Sequence, residues 1–184
     1  MASEKLKEKY VLFLRGINVG GHHKVPMQDL REELEQSGFE KVETILNSGN
    51  IIFNTASTDL KSLEILISEK LENAFGFPIP TIVRKEKTIK QLFDDAPFQK
   101  EEITKDIRLY VSFLKNGTIP NIDLPWRSSD NSFRILEIKD RVVISILDLN
   151  VSKTPKAMNA LETFFGSEIT TRNWNTIERV AKKL

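Results

Sequence analysis

The segment that follows the first apolar run of the chain has the residue types of an anion-binding loop. Glycine lets backbone N–H groups approach an anion closely, and the N-terminus of a following helix adds a positive dipole. The segment is neither a Walker A loop nor a GxGxxG motif, so the pattern names no particular ligand. A turn that only connects a strand to a helix is the alternative. The predicted ligand-binding residues of this segment are Arg15, Gly16, Asn18, Gly20, Gly21 and Lys24.

Three residues of the second half complete the predicted site. Lys153 precedes a helix start at Thr154-Pro155, and Arg172 and Asn173 precede the last helix. Clustered cations attract anions, whereas surface ion pairs contribute only about 0–1 kcal/mol to stability. We therefore expect Arg15 and Arg172 to face a shared cleft between two subdomains, with Lys153 near its rim. The alternatives are helix capping by Asn173, an exposed lysine at position 153 and a separate carboxylate partner for each arginine.

The sequence offers little for metal or nucleophile chemistry. It has no cysteine, which excludes disulfides and Cys-ligated metal centres. Its two histidines, His22 and His23, are adjacent, and a turn rarely directs neighbouring side chains at one ion. We therefore predict no metal site and no cofactor. Both histidines lie in one loop, so no Ser/His/Asp set can be assembled, and whether the protein is an enzyme stays open.

Composition favours an ordinary globular protein. The 184 residues are 40% hydrophobic, and 27 Lys and Arg against 26 Asp and Glu give a formal net charge of +1. A protein that binds nucleic acid mainly through phosphates is usually more basic, so a small anion is the preferred partner. The N-terminus is charged, and no apolar run approaches the ~20 residues of a membrane span. The sequence therefore predicts a cytoplasmic protein without a membrane partner, and it indicates no oligomeric state.

The first half alternates strand and helix patterns. Residues 10–15 form a nearly all-apolar run, which predicts a strand buried on both faces. Apolar residues at helical spacing follow Pro26 and again Asp59. The tetrapeptide at 47–50, Asn-Ser-Gly-Asn, predicts a hairpin turn between the second and third strands. The resulting order β-α-β-β-α-β over residues 1–84 is that of a ferredoxin-like split βαβ subdomain, and the predicted fold class is α+β.

The second half, residues 85–184, predicts a smaller α+β subdomain with two C-terminal helices. Strands are expected at 108–114, 133–138 and 142–147, with a long loop over 117–132. One helix begins at Thr154, and the last begins near Trp174, which we expect to be mostly buried. We also expect the loop after strand one and the turn at 47–50 to lie at opposite ends of the first sheet, which would keep Arg15 away from Asn47.

Several stretches of the sequence resemble a known family. They are residues 14–21 (LRGINVGG) with 24–27 (KVPM), 46–50 (LNSGN) and 170–176 (TTRNWNT). Together they are similar to the mainly bacterial family of domain of unknown function 1697. The resemblance implies an N-terminal ferredoxin-like subdomain and a second α+β subdomain, and it implies no activity. Ser152-Lys153-Thr154 stands where the family has Ser-Lys-Leu.

Two functional hypotheses follow. The first is binding of a small anionic or phosphate-containing ligand in a cleft between the subdomains. The second is a nucleic-acid or protein interaction module without catalysis. RRM domains share the predicted topology, but the stretch at 48–53 lacks their basic residue and has few aromatic ones, so RNA binding of that kind is not favoured.

Overall fold

The computed structural model describes residues 6–115 and 119–184, so the first five residues of the predicted charged N-terminus and the start of the predicted 117–132 loop lie outside the described residues. The α+β fold is confirmed. The chain divides into two compact units: the first unit is Met1–Leu92 with Arg179–Leu184, and the second unit is Phe93–Glu178. The sequence placed a single boundary near residue 84, and nothing in it indicated that the chain returns to the first unit.

Ion pairs and hydrogen bonds attach the returning segment. Lys9 Nζ donates a 2.9 Å hydrogen bond to the carbonyl of Leu184. Lys183 Nζ lies 2.6 Å from a carboxylate oxygen of Glu43. In chain order the helices and strands of the first half are β1 (Lys7–Leu14), α1 (Met27–Gln36), β2 (Glu40–Ile45), β3 (Asn50–Ala56), α2 (Leu60–Phe75), β4 (Thr81–Lys85) and α3 (Glu86–Asp94).

The first unit contains a four-stranded sheet with β1 at its centre. The strand order is β2-β3-β1-β4, and every pairing is antiparallel. This arrangement confirms the predicted four-stranded antiparallel sheet and is compatible with a ferredoxin-like unit. The prediction that β1 is buried on both faces also holds, because Leu12 on one face and Val11 and Phe13 on the other are all fully buried.

One face of this sheet forms a core with the two helices. Side chains alternate along β1, so every second residue points to the same face. Such burial stabilises the fold by about 25 cal/mol for each Å² of apolar surface removed from water. The core residues from the three elements are Tyr10, Leu12 and Leu14 of β1, Leu30 and Leu34 of α1, and Leu63, Ile67 and Leu71 of α2.

The outer edge of β4 is covered by a side chain from α2. The backbone N–H of Val83 donates a 2.8 Å hydrogen bond to Glu64 Oε1. The guanidinium of Arg84 lies 3.7 Å from the same oxygen, and both side chains are almost completely buried. An exposed sheet edge invites pairing with another chain, so this carboxylate protects the strand.

The second unit contains a five-stranded antiparallel sheet in the order β6-β7-β8-β5-β9. Helix α4 packs on one face, where Ala157 and Leu161 join a core with Tyr110 and Leu114. The elements of the second half are β5 (Ile107–Leu114), β6 (Trp126–Arg127), β7 (Phe133–Lys139), β8 (Val142–Asp148), α4 (Thr154–Phe165), β9 (Ile169–Asn173) and α5 (Trp174–Ala181).

The last helix begins at Trp174, as predicted, but two expectations about its surroundings need correction. Residues 169–173 form β9, a strand that pairs with β5, so Arg172 and Asn173 lie on a strand, and Asn173 directly precedes α5. The β-branched Ile169, Thr170 and Thr171 favour that extended conformation. Trp174 is only partly buried. Its ring packs against Phe93 and Phe98, with centroids 6.2 and 5.4 Å away.

Candidate functional site

The segment between β1 and α1 folds into a small hairpin. The backbone N–H of His22 donates to the carbonyl of Val19 at 3.1 Å, and that of Asn18 donates to the carbonyl of His23 at 3.0 Å. The two tip residues, Gly20 and Gly21, have φ of 59° and 79°. A two-residue hairpin turn of this kind needs positive φ at both central positions, which glycine adopts without strain. Turn geometry therefore accounts for these two glycines.

Asn18 holds this hairpin in place with its side-chain amide. Nδ2 donates hydrogen bonds of 2.9 Å to the carbonyls of Val25 and Asn47, and Oδ1 accepts one of 2.8 Å from the N–H of Val25. Both amide hydrogens are thus engaged by the protein itself. Asn18 positions the loop, and it has no N–H left for the ligand contact that the sequence suggested.

The contact between Asn18 and Asn47 shows that one prediction was wrong. The loop after β1 and the turn between β2 and β3 lie at the same end of the sheet. The reason is that β1 and β3 are antiparallel, so the last residues of β1 lie beside the first residues of β3. Phe13 pairs with Asn50, and the N–H of Leu14 donates to the carbonyl of Gly49 at 2.8 Å.

The turn between β2 and β3 packs tightly against the end of β1. Gly49 has a φ of 77°, and a Cβ added there would lie 2.7 Å from the Cβ of Leu14 and 2.9 Å from Cδ1 of Ile17. Asn50 is fully buried, and its Nδ2 donates to the carbonyl of Ile45 at 2.9 Å and to Ser48 Oγ at 3.0 Å. Asn50 therefore shapes the turn from within.

A third segment, residues 76–80 between α2 and β4, completes this end of the first unit. The N–H of Arg15 donates to the carbonyl of Pro80 at 3.0 Å. The ring of Phe77 stacks on that of His23, with centroids 4.5 Å apart and planes inclined by 20°. We call the surface formed by residues 15–26, 46–49 and 76–80 the loop face. Sequence reasoning missed Phe77, because no local pattern linked it to the glycine-rich segment.

The loop face is locally basic. Its three segments contain Arg15, His22, His23 and Lys24 and no aspartate or glutamate. Both histidines and Lys24 are exposed, whereas Arg15 is half-buried. Clustered basic groups raise the local potential, even in a chain whose formal net charge is +1.

The remaining predicted residues belong to the second unit. Arg172 pairs with Val111 across the sheet and donates a 3.0 Å hydrogen bond to the carbonyl of Thr171. Burial lowers the pKa of Arg172 to about 10, so it stays protonated at neutral pH. Asn173 is exposed at the end of β9, and Lys153 is exposed where α4 begins.

The positions of Lys153 and Arg172 in the second unit follow from the pairing of β9 with β5 and from the start of α4. Asn173 pairs with Tyr110, which points towards α4. Because side chains alternate along a strand, Arg172 points to the opposite face of the sheet. Lys153 begins the helix that covers the first face.

Two further features of the described residues bear on function. In the ranges 6–115 and 119–184, no three or more His, Asp or Glu side chains come together in a way that could hold a metal ion. Over the same part of the chain, every helix is too short or too polar to cross a bilayer.

Comparisons with known proteins agree with the fold. A family described as "Protein of unknown function (DUF1697)" matches residues 7–142, which include the whole loop face. The chain is also similar to the solved structure of a conserved bacterial protein, SP0830, from Streptococcus pneumoniae. That likeness has a TM-score of 0.71 at 25% sequence identity and covers 96% of this chain and 98% of the other. No curated protein matches the chain.

Proposed function

The chain belongs to the DUF1697 family, and from that premise we propose that its first unit binds a small anionic, phosphate-bearing ligand on the loop face. The observation that carries the proposal is that three loops meet at one end of the first sheet and that one of them contains Arg15, His22, His23 and Lys24. Cations in such a cluster raise the local concentration of anions and strengthen their hydrogen bonds.

Backbone donors support the same reading. Among the residues that the structure describes, none accepts a hydrogen bond from the N–H of Gly20 or Gly21. Both groups lie at the exposed tip of the hairpin, next to the basic side chains of His22 and Lys24. Backbone N–H groups of this kind are common ligands of phosphate oxygens.

Rigidity of the loop face favours binding as well. Asn18 ties the hairpin to the turn between β2 and β3, and Gly49 lets that turn approach β1 closely. A site whose loops are already ordered loses less conformational entropy when a ligand binds, and this raises affinity. The proposal concerns the first unit alone; Lys153, Arg172 and Asn173 are not part of it.

Titration with inorganic phosphate, followed by amide NMR, tests the proposal. We expect the amides of Gly20, Gly21 and Lys24 to shift in a saturable way. Lys24→Ala should weaken binding at least roughly threefold, since a hydrogen bond to a charged group contributes about 1.5–3 kcal/mol when desolvated and less at an exposed site. Arg15→Ala should weaken it further, and the melting temperature shows whether the variant is folded.

Lys61→Ala is the matched control. It removes the same charge from the start of α2, about 20 Å from the loop face at 1.5 Å of helix per residue. It should bind phosphate as the wild type does. The proposal fails if no loop-face amide shifts, or if the variant Arg15→Ala/Lys24→Ala keeps the wild-type affinity.

Two exposed apolar side chains favour a second candidate, a macromolecular interaction surface. Val19 at the hairpin is 67% exposed and Leu46 in the neighbouring turn is 43% exposed. Titration with a short single-stranded oligonucleotide distinguishes the candidates. A nucleic-acid surface should bind it with strong salt dependence and lose affinity in Val19→Ser, whereas a small-ligand site should be unaffected by that change.

A further inference from the structure

His23 presents an aromatic ring to solvent on the loop face. One face of the imidazole stacks on Phe77, with centroids 4.5 Å apart and planes 20° from parallel. The residue is nonetheless exposed. Since Phe77 covers one ring face, a ligand can stack only on the other face.

The orientation of this ring is fixed from several sides. Nδ1 lies 3.3 Å from the carbonyl of Gly16, and this contact is a hydrogen bond in the tautomer that carries the proton on Nδ1. The backbone of His23 has a φ of 49° and its carbonyl accepts the N–H of Asn18 at 3.0 Å. Phe77 supports the ring from behind. The imidazole is therefore a preformed flat surface and not a freely rotating side chain.

We infer that the ligand of the loop face is a nucleotide, whose base stacks on the outer face of His23 while its phosphate lies among the basic residues. This inference rests on the proposed function and adds the class of the ligand. Bases stack on exposed aromatic side chains, including histidine, and each such contact contributes to affinity. Lys24 follows His23 directly, and Arg15 precedes Gly16, whose carbonyl holds the ring. Lys24 is therefore the immediate neighbour of the ring in the sequence, and Arg15 is the neighbour of the residue whose carbonyl the ring contacts.

The competing explanation is that His23 only shields Phe77 from water. In that case the ring pair would matter for stability and not for the choice of ligand. The two explanations differ in one measurable quantity, the affinity that a base adds to a phosphate ester.

Binding of adenosine monophosphate, ribose 5-phosphate and inorganic phosphate to the full chain, measured by calorimetry, provides that quantity. The base should make adenosine monophosphate bind roughly five- to 150-fold more tightly than ribose 5-phosphate, which is the range for one stacked base. His23→Ala should remove this ratio, because it should weaken the binding of adenosine monophosphate far more than that of ribose 5-phosphate or inorganic phosphate. His23→Phe keeps the flat surface and should keep the ratio.

His22→Ala removes the same ring one position away; any affinity it loses should be lost equally by adenosine monophosphate and ribose 5-phosphate, so a fall in their ratio would show that the effect is not specific to the ring of His23. Melting temperatures show whether each variant is folded. Equal affinities for adenosine monophosphate and ribose 5-phosphate overturn the inference while leaving phosphate binding intact. An unchanged ratio in His23→Ala also overturns it. If none of the three compounds binds, the proposed function fails and this inference fails with it.

Discussion

The side-chain amide of Asn18 donates a 2.9 Å hydrogen bond to the backbone carbonyl of Asn47, 29 positions away in the sequence. This bond joins the hairpin after β1 to the turn between β2 and β3. The turn also contacts the end of β1, because the carbonyl of Gly49 accepts a hydrogen bond from the N–H of Leu14. The antiparallel pairing of β1 with β3 therefore brings the loops of the loop face together. Substitution of the few residues that connect these loops should destabilise it.

Asn18→Asp should destabilise the first unit by about 1–3 kcal/mol, because the carboxylate cannot donate the two hydrogen bonds that Nδ2 makes. The acceptor atom and the size of the side chain are retained. Urea unfolding gives the change in the free energy of unfolding. Asn73→Asp, at an exposed position of α2, is the control. A loss equal to that of the control would show that the amide bonds contribute nothing to stability.

Gly49→Ala should cost about 3 kcal/mol, from a left-handed backbone penalty of about 1–2 kcal/mol and from overpacking against Leu14 and Ile17. Gly16→Ala is a matched control, since Gly16 has a similar φ of 74° but an added Cβ meets nothing within 4 Å. It should cost only the backbone penalty. Guanidinium unfolding of both variants separates the two contributions, and equal losses would contradict the packing argument.

Acid should weaken the first unit partly through Glu8. Hydrogen bonds from Lys85 first and from Tyr10 second, each 2.8 Å, hold the pKa of this carboxyl below its ordinary value. A carboxyl with a lowered pKa stabilises the fold above its unfolded-state pKa, and this stabilisation disappears as pH falls through the folded-state pKa. The loss should therefore begin near pH 4.5 and grow below it.

Glu8→Gln tests this expectation by removing the titrating group. Below pH 4.5 the free energy of unfolding of the variant should depend less steeply on pH than that of the wild type. Thermal unfolding over a series of pH values supplies the comparison, and Glu69→Gln on the exposed surface of α2 is the control. Parallel curves for Glu8→Gln and the wild type would refute the assignment.

Trp174→Ala should lower stability by about 2–4 kcal/mol, towards the smaller end of the range for buried aromatic residues, because the ring is only partly buried. The lost contacts are those with Phe93 and Phe98. Differential scanning calorimetry can follow the change, with Asn175→Ala as the exposed neighbour for comparison. A loss below about 1 kcal/mol would mean that the aromatic contacts have no structural role.

The sequence predicted most of the elements, because their patterns are local. The apolar run of β1 and the helical spacing in α1 and α2 identify those elements without knowledge of their partners. Sequence analysis failed for elements whose conformation depends on the strand they pair with. Residues 169–173 form a strand because β5 offers an edge to pair with, and the polar Thr-Thr-Arg-Asn sequence carries no alternating pattern of its own.

The loop face illustrates the same limit. The glycine-rich segment is a loop, as predicted. The structural reason for Gly20 and Gly21 is a tight turn, and the side chain of Asn18 forms hydrogen bonds with the backbone. Its closeness to the turn at 47–50 follows from the antiparallel pairing of β1 with β3, which strand order alone would have allowed us to deduce. The stacking of His23 on Phe77 depends on contacts between distant positions and has no local sequence signal.

The return of Arg179–Leu184 to the first unit has a consequence for biosynthesis. During translation, residues 7–85 of the four-stranded sheet leave the ribosome well before residue 184 does. Until then Lys9 lacks the carbonyl of Leu184, and Glu43 lacks Lys183. Domains usually fold as units from the N-terminus during synthesis. Here the N-terminal unit reaches its final set of contacts only after the second unit has been synthesised.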